Sequence, residues 1–161
     1  MDAFAPATCL QCPMRGEKVF CNLSAAALQE LDIVRSVGLY PKATTLFAEG
    51  RAPRGVFILC SGRVRLSICS DKGKSLTLKM VGAGEVLGLS ATISGKAYEV
   101  TAETVVPSQV VFVPRKEFLR FLREHRDAAL QVVQFLTQDL YVAYDRVRSI
   151  GRPRSRRARP A

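Results

Sequence analysis

The chain has 161 residues, of which 48% are hydrophobic and 24% charged, enough to build one domain whose core folds without disulfide staples. No uninterrupted apolar run reaches the roughly 20 residues of a membrane span, and the start Met1-Asp2-Ala3-Phe4-Ala5-Pro6-Ala7 lacks a basic lead into an apolar stretch, so a cytoplasmic protein is expected. The formal charge of +10 suggests nucleic acid until it is located: half of it comes from Arg152, Arg154, Arg156, Arg157 and Arg159. That Arg/Pro/Ser/Ala tail, residues 152–161, is expected to be disordered, a solvated terminus or a contact for phosphates that reads no sequence.

Residues 1–21 form an arm bearing Cys9, Cys12 and Cys21, with Pro6, Pro13 and Gly16 opposing regular structure. Five cysteines are an odd set, and a reducing compartment favours thiol or metal chemistry over a disulfide framework. Ser24 is positioned to cap a short helix from Ala25 to Val34, with Leu28 and Leu31 on one face. From about Ser36 to Pro114 the period is two. Strands are expected at Thr45 to Phe47, within the run Gly55 to Ser70, where Val64, Leu66 and Ile68 alternate with Arg63, Arg65, Ser67 and Cys69, at Leu76 to Met80, at Glu99 to Val106 and at Gln109 to Val113. Asp71-Lys72-Gly73 reads as a tight hairpin, and Pro41, Gly50, Pro107 and Pro114 mark turns. Many short strands at this spacing describe a closed roll or barrel.

After Pro114 the period becomes helical, first over Lys116 to Arg123, with Phe118, Phe121 and Leu122 on a shared side, then from Asp127 to about Ile150. In the second helix Ala129, Val133, Leu136, Leu140, Ala143, Val147 and Ile150 follow at alternating gaps of four and three, the register of a seam shared by two helices. A second stripe, Val132, Phe135 and Val142, is expected to face the roll, so the outer stripe implies a homodimer; the alternative assigns all of them to an intrachain core. Gly151 and Pro153 are expected to end the helix. His125, the only histidine, is expected to be solvated between helices rather than a ligand or base. Cys60 reads as a core residue and Cys69 as the wetter face of its strand.

Leu46-Phe47-Ala48-Glu49-Gly50, the run Val56 to Leu66, Gly84-Glu85-Val86-Leu87-Gly88, Ala102-Glu103-Thr104 and Pro114-Arg115-Lys116-Glu117-Phe118 occur in the order seen in one family. Over residues 9–151 the chain resembles the sensor half of the Crp/Fnr superfamily of bacterial transcription regulators. The resemblance implies a mainly β, α+β fold: an antiparallel β-roll like a cyclic-nucleotide-binding domain, with short flanking helices and a long dimerisation helix. It implies an arm over 1–21, the sensor roll over 22–126, the dimerisation helix over 127–151 and the tail over 152–161. An effector-responsive regulator follows, not an enzyme. Where the family enters its helix-turn-helix this chain has its Arg-rich tail and stops, as in a truncated member, a stand-alone domain or a shifted reading frame, so specific DNA binding is not supported by this chain alone.

Members that bind a cyclic nucleotide hold its ribose with a Glu and its phosphate with an Arg after the Gly-Glu turn. Here Leu89 follows Gly88 at the Glu position, and Lys96-Ala97 is the best match for the Arg and the residue beside it. Lys offers a point charge rather than a planar fork, so the resemblance argues against cyclic AMP. Gly84, Glu85, Gly88, Leu89, Lys96 and Ala97 remain the candidate pocket for a small effector, while the glycines also suit a strand-connecting turn. Cys9, Cys12 and Cys21 resemble the cysteines by which Fnr-type members hold an iron–sulfur cluster; zinc or reversible thiol oxidation are the alternatives. The fourth ligand is unassigned, because Val111 occupies the matching place. Two other function classes compete: a thiol or metal redox protein, disfavoured by a lone histidine and a broken Cys-x-x-Cys context, and a domain that binds nucleic acid nonspecifically through its tail.

Overall fold

A computed structural model describes residues 23–151; the arm cysteines Cys9, Cys12 and Cys21, and the Arg-rich tail, lie outside them. In chain order the elements are α1 (Ala25–Val34), β1 (Ser36–Tyr40), β2 (Thr45–Phe47), β3 (Gly55–Ser61), β4 (Val64–Cys69), β5 (Ser75–Val81), β6 (Val86–Leu87), α2 (Leu89–Ser94), β7 (Thr101–Thr104), β8 (Ser108–Pro114), α3 (Arg115–Glu124) and α4 (Arg126–Gly151). The strands pair antiparallel in two four-stranded sheets, ordered β1-β8-β3-β6 and β2-β7-β4-β5.

The apolar run of β3 divides between two cores because side chains alternate across a strand. Val56 and Ile58 join Val111 and Val113 of β8 against the helices, where Leu28, Leu31, Phe118, Phe121, Ala128 and Val132 are buried. Phe57 and Leu59 face the other way, into the roll, with Phe47, Val64, Val81, Leu87 and Tyr98. The hairpin at Gly73 forms as expected: Gly73 has φ +76°, and Ser70 and Lys74 close it through a 2.8 Å backbone bond. Ser24 caps α1, its hydroxyl accepting from the Ala27 amide at 3.2 Å.

Several elements differ from expectation. β7 is Thr101–Thr104 rather than Glu99 to Val106, because its partner β2 spans three residues and is irregular between Thr45 and Phe47. Tyr98 instead exchanges backbone bonds with Gly50 and Arg51. The helix α2 was not expected; it is six residues long and framed by Gly88 and Gly95, both at positive φ. Val142 does not face the roll. It is exposed, as is every residue from Thr137 to Gly151: the apolar packing of α4 on the body is made by Ala128, Val132, Phe135 and Leu136, and beyond them the helix meets the body through polar groups, Asp139 at a cavity and Arg146 donating to the Leu78 carbonyl at 3.2 Å. Among the described residues α4 runs to the last of them, Gly151, and the stop expected at Gly151 and Pro153 lies at their edge and outside them.

His125 is not a solvated residue. Its Nε2 lies 2.5 Å from a carboxylate oxygen of Glu30 and its ring packs 5.0 Å from that of Phe121, because the chain turns extended at the end of α3 and directs the imidazole onto α1. Beside it, an Asp127 carboxylate oxygen accepts the Ser24 amide at 3.0 Å, so the start of α4 is tied to the start of α1. That bond holds the Asp127 carboxyl below its ordinary range.

Candidate effector cavity

The turn between β5 and β6 sets one wall. Gly84 at φ +88° lets the chain fold back so that its amide donates to the Leu59 carbonyl at 2.6 Å, while the Leu59 amide donates to the Glu85 carbonyl at 3.0 Å. Glu85 spends both carboxylate oxygens locally: one accepts the Gly82 amide at 2.7 Å and the other lies 3.4 Å from Lys79 Nζ. Gly88 follows at φ +83°, and a Cβ there would stand 3.1 Å from the Tyr98 ring and 3.2 Å from the Gly55 carbonyl. A side chain at that position would be strained by the positive φ and would press the Tyr98 ring and the Gly55 carbonyl.

Between this turn, the roll and α4 lies a cavity of about 180 Å³, smaller than the roughly 300–1,000 Å³ typical of drug-sized ligands. Phe47, Leu66, Val81, Leu89, Val100, Phe135 and Leu136 make most of its wall. Its ionisable lining is one cation, Lys79, against three acids, Glu85, Glu99 and Asp139. An anionic phosphate entering this excess of carboxylates would be repelled, and the one cation already faces Glu85.

Of the six sequence-derived pocket residues, Glu85, Gly88 and Leu89 line the cavity; Gly84 shapes the turn behind it. Lys96 and Ala97 are exposed beyond α2 and lie off the wall, the Lys96 amide donating to Ser94 Oγ at 3.2 Å. The residue that sequence reasoning missed is the next one. Tyr98 is buried, stacks on Phe47 with ring centroids 4.2 Å apart, and its hydroxyl donates to the Gly55 carbonyl at 2.9 Å while accepting the Arg54 and Gly55 amides. Nothing in its neighbours, Ala97 and Glu99, singled it out in the sequence. At the far side Arg115 Nε donates to the Thr92 carbonyl at 2.8 Å, which ties α2 to the start of α3.

Seam residues fall into two groups. Ala129 is half-buried and Leu136 packs against the helix-side core, forming cavity wall as well; Val133, Leu140, Ala143, Val147 and Ile150 are exposed. Among the described cysteines, Cys60 is half-buried against the helix-side core and Cys69 is exposed at the end of β4. Val111, at the place matching the fourth ligand of an Fnr-type cluster, is buried in β8 opposite Ile58 and offers no thiolate. That position does not fit an iron–sulfur cluster. Among the described residues no helix is long and apolar enough to cross a membrane.

The description "Cyclic nucleotide-binding domain" matches residues 38–125, more than half of the chain. The chain is 27% identical over 135 residues to the cyclic AMP receptor protein of Thermus thermophilus, covering 79% of this chain and 61% of that protein. It is 26% identical over 141 residues to the transcriptional activatory protein AadR of Rhodopseudomonas palustris, covering 88% and 58%. It thus spans about three-fifths of the length of these two relatives. The solved sensor domain of the transcriptional regulator DNR from Pseudomonas aeruginosa superposes with a TM-score of 0.69 at 25% identity, over 82% of this chain and 89% of that one. With the antiparallel roll, the Gly-Glu turn and the long final helix in place, the chain belongs to the cyclic nucleotide-binding domain family and has its relatives among the Crp/Fnr transcription regulators.

Proposed function

We propose that this chain is the effector-sensing, dimerising part of a cytoplasmic Crp/Fnr-type regulator and not an enzyme. The carrying observation is α4, where Val133, Leu140, Val147 and Ile150 are between 50% and 85% exposed along one seven-residue repeat. The half of α4 after Leu136 is about fifteen residues long, its apolar side chains join neither core, and it meets the body only through polar groups such as Arg146; helices of roughly 12–15 residues without apolar packing are marginal in water. A second copy laid along that stripe would bury it and supply the missing packing.

Leu136 belongs to the cavity wall and to the stripe, so an effector that pushes on Phe135 or Leu136 acts at the root of the seam without an intermediary. The two arrangements of the paired α4 helices would be the bistable element, and occupancy of the cavity the bias. The lining supports a small, largely apolar effector, uncharged or cationic. In the same reading the thiols of Cys9, Cys12 and Cys21 are a second input just before α1, through zinc or reversible oxidation. Nonspecific nucleic-acid binding through residues 152–161 rests on charge alone.

Calorimetric titration of the full chain with cyclic AMP tests the effector class. The expected result is no saturable binding up to about 1 mM. One micromolar site per chain would overturn the assignment of a non-nucleotide effector.

A further inference from the structure

Away from the cavity, the surface where α1 meets the end of α3 holds two carboxylates and an imidazole whose ligating atoms all lie within 4.8 Å of one another: Glu30, Glu124 and His125. We propose that these three side chains bind one divalent transition-metal ion of the zinc class, clamping α1 to the junction of α3 and α4. An imidazole nitrogen with two carboxylate oxygens is a borderline donor set that suits zinc, and three protein ligands leave a fourth position for water.

The backbone makes the convergence. α3 ends at Glu124, and His125 is extended, at φ −126° and ψ 102°, so consecutive residues both reach Glu30 on α1. Packing on Phe121 fixes the imidazole plane, while two glutamates on flexible stems can close from their present spacing to coordination distance. The charge balance also favours a cation. Two carboxylates whose oxygens lie within 4.8 Å of each other repel unless a proton or a positive ion sits between them. The nearby cation, Arg120, is paired with Glu117 at 2.5 Å and reaches the two carboxylates only through space, and Asp127 is engaged by the Ser24 amide. Neither completes the cluster. The site spans the helix that follows the cysteine arm and the start of the seam helix, so its occupancy would stiffen the joint between them.

Because His125 is the only histidine in the chain, its ring resonances report the site without ambiguity, whatever the arm thiols bind. The experiment is a zinc chloride titration of the nitrogen-15-labelled full chain at neutral pH, following the long-range proton–nitrogen signals of the imidazole. The expected result is a saturable shift of Nε2, weakened about tenfold or more in both Glu30→Gln and Glu124→Gln. Glu124 is exposed, so the second variant folds irrespective of the outcome. An imidazole signal unmoved by excess zinc would overturn the site. So would a shift that survives Glu124→Gln with unchanged affinity, which would leave only the His125–Glu30 ion pair.

Discussion

Tyr98 holds β3 to the strand-poor segment before β7 through a single hydroxyl that serves the Gly55 carbonyl and the Arg54 and Gly55 amides. Replacing it with Phe keeps the ring on Phe47 but leaves those buried backbone groups short of a partner, a loss of about 1–3 kcal/mol. Urea unfolding of Tyr98→Phe at neutral pH measures it, and a change below about 0.5 kcal/mol would show that the bond is dispensable. Asp127 makes a pH-dependent contribution of known sign. Its carboxyl lies below the ordinary 3.8 because it accepts the Ser24 amide. The stabilisation is therefore complete above the unfolded value and is lost as pH falls through the lower folded one. Asp127→Asn should be less stable than the parent at neutral pH, and the gap should narrow between pH 5 and 2, read as urea midpoints across that range.

At the scale of elements, what was legible in the chain followed from strong periodicity. Leu28 and Leu31 of α1, Val64 and Leu66 of β4, and Phe118 and Phe121 of α3 all turned inward as their spacing required. What was not legible depended on partners that spacing cannot name. β7 is short because β2 is short and irregular, and Val142 is exposed because the body offers apolar packing only to the first part of α4, although the helix's period continues unchanged. The helix α2 escaped notice because Leu89-Ser90-Ala91-Thr92-Ile93-Ser94 has only six residues and two β-branched ones, leaving Gly88 and Gly95 as its sole markers. The site was half legible. The Gly-Glu turn was found from its glycines, whereas Lys96 proved to be off the cavity and Tyr98, which fills the neighbouring space, carried no distinguishing pattern.

For the whole molecule, family membership rests on residues 38–125 and on the roll they form, while the proposed role depends on two properties that membership does not supply. The first is the cavity, whose wall is mostly apolar and whose ionisable lining is three acids and Lys79. The second is the exposed stripe that continues from the cavity wall at Leu136 to Ile150. If that stripe is a seam, charge placed in it should separate two copies without unfolding either roll, because Leu140 and Val147 touch neither core. Multi-angle light scattering of the full chain beside the double variant Leu140→Glu, Val147→Glu is the direct measurement. The account predicts twice the chain mass for the parent and a single, still folded chain for the variant; a parent that stays a lone chain at micromolar concentration would contradict it.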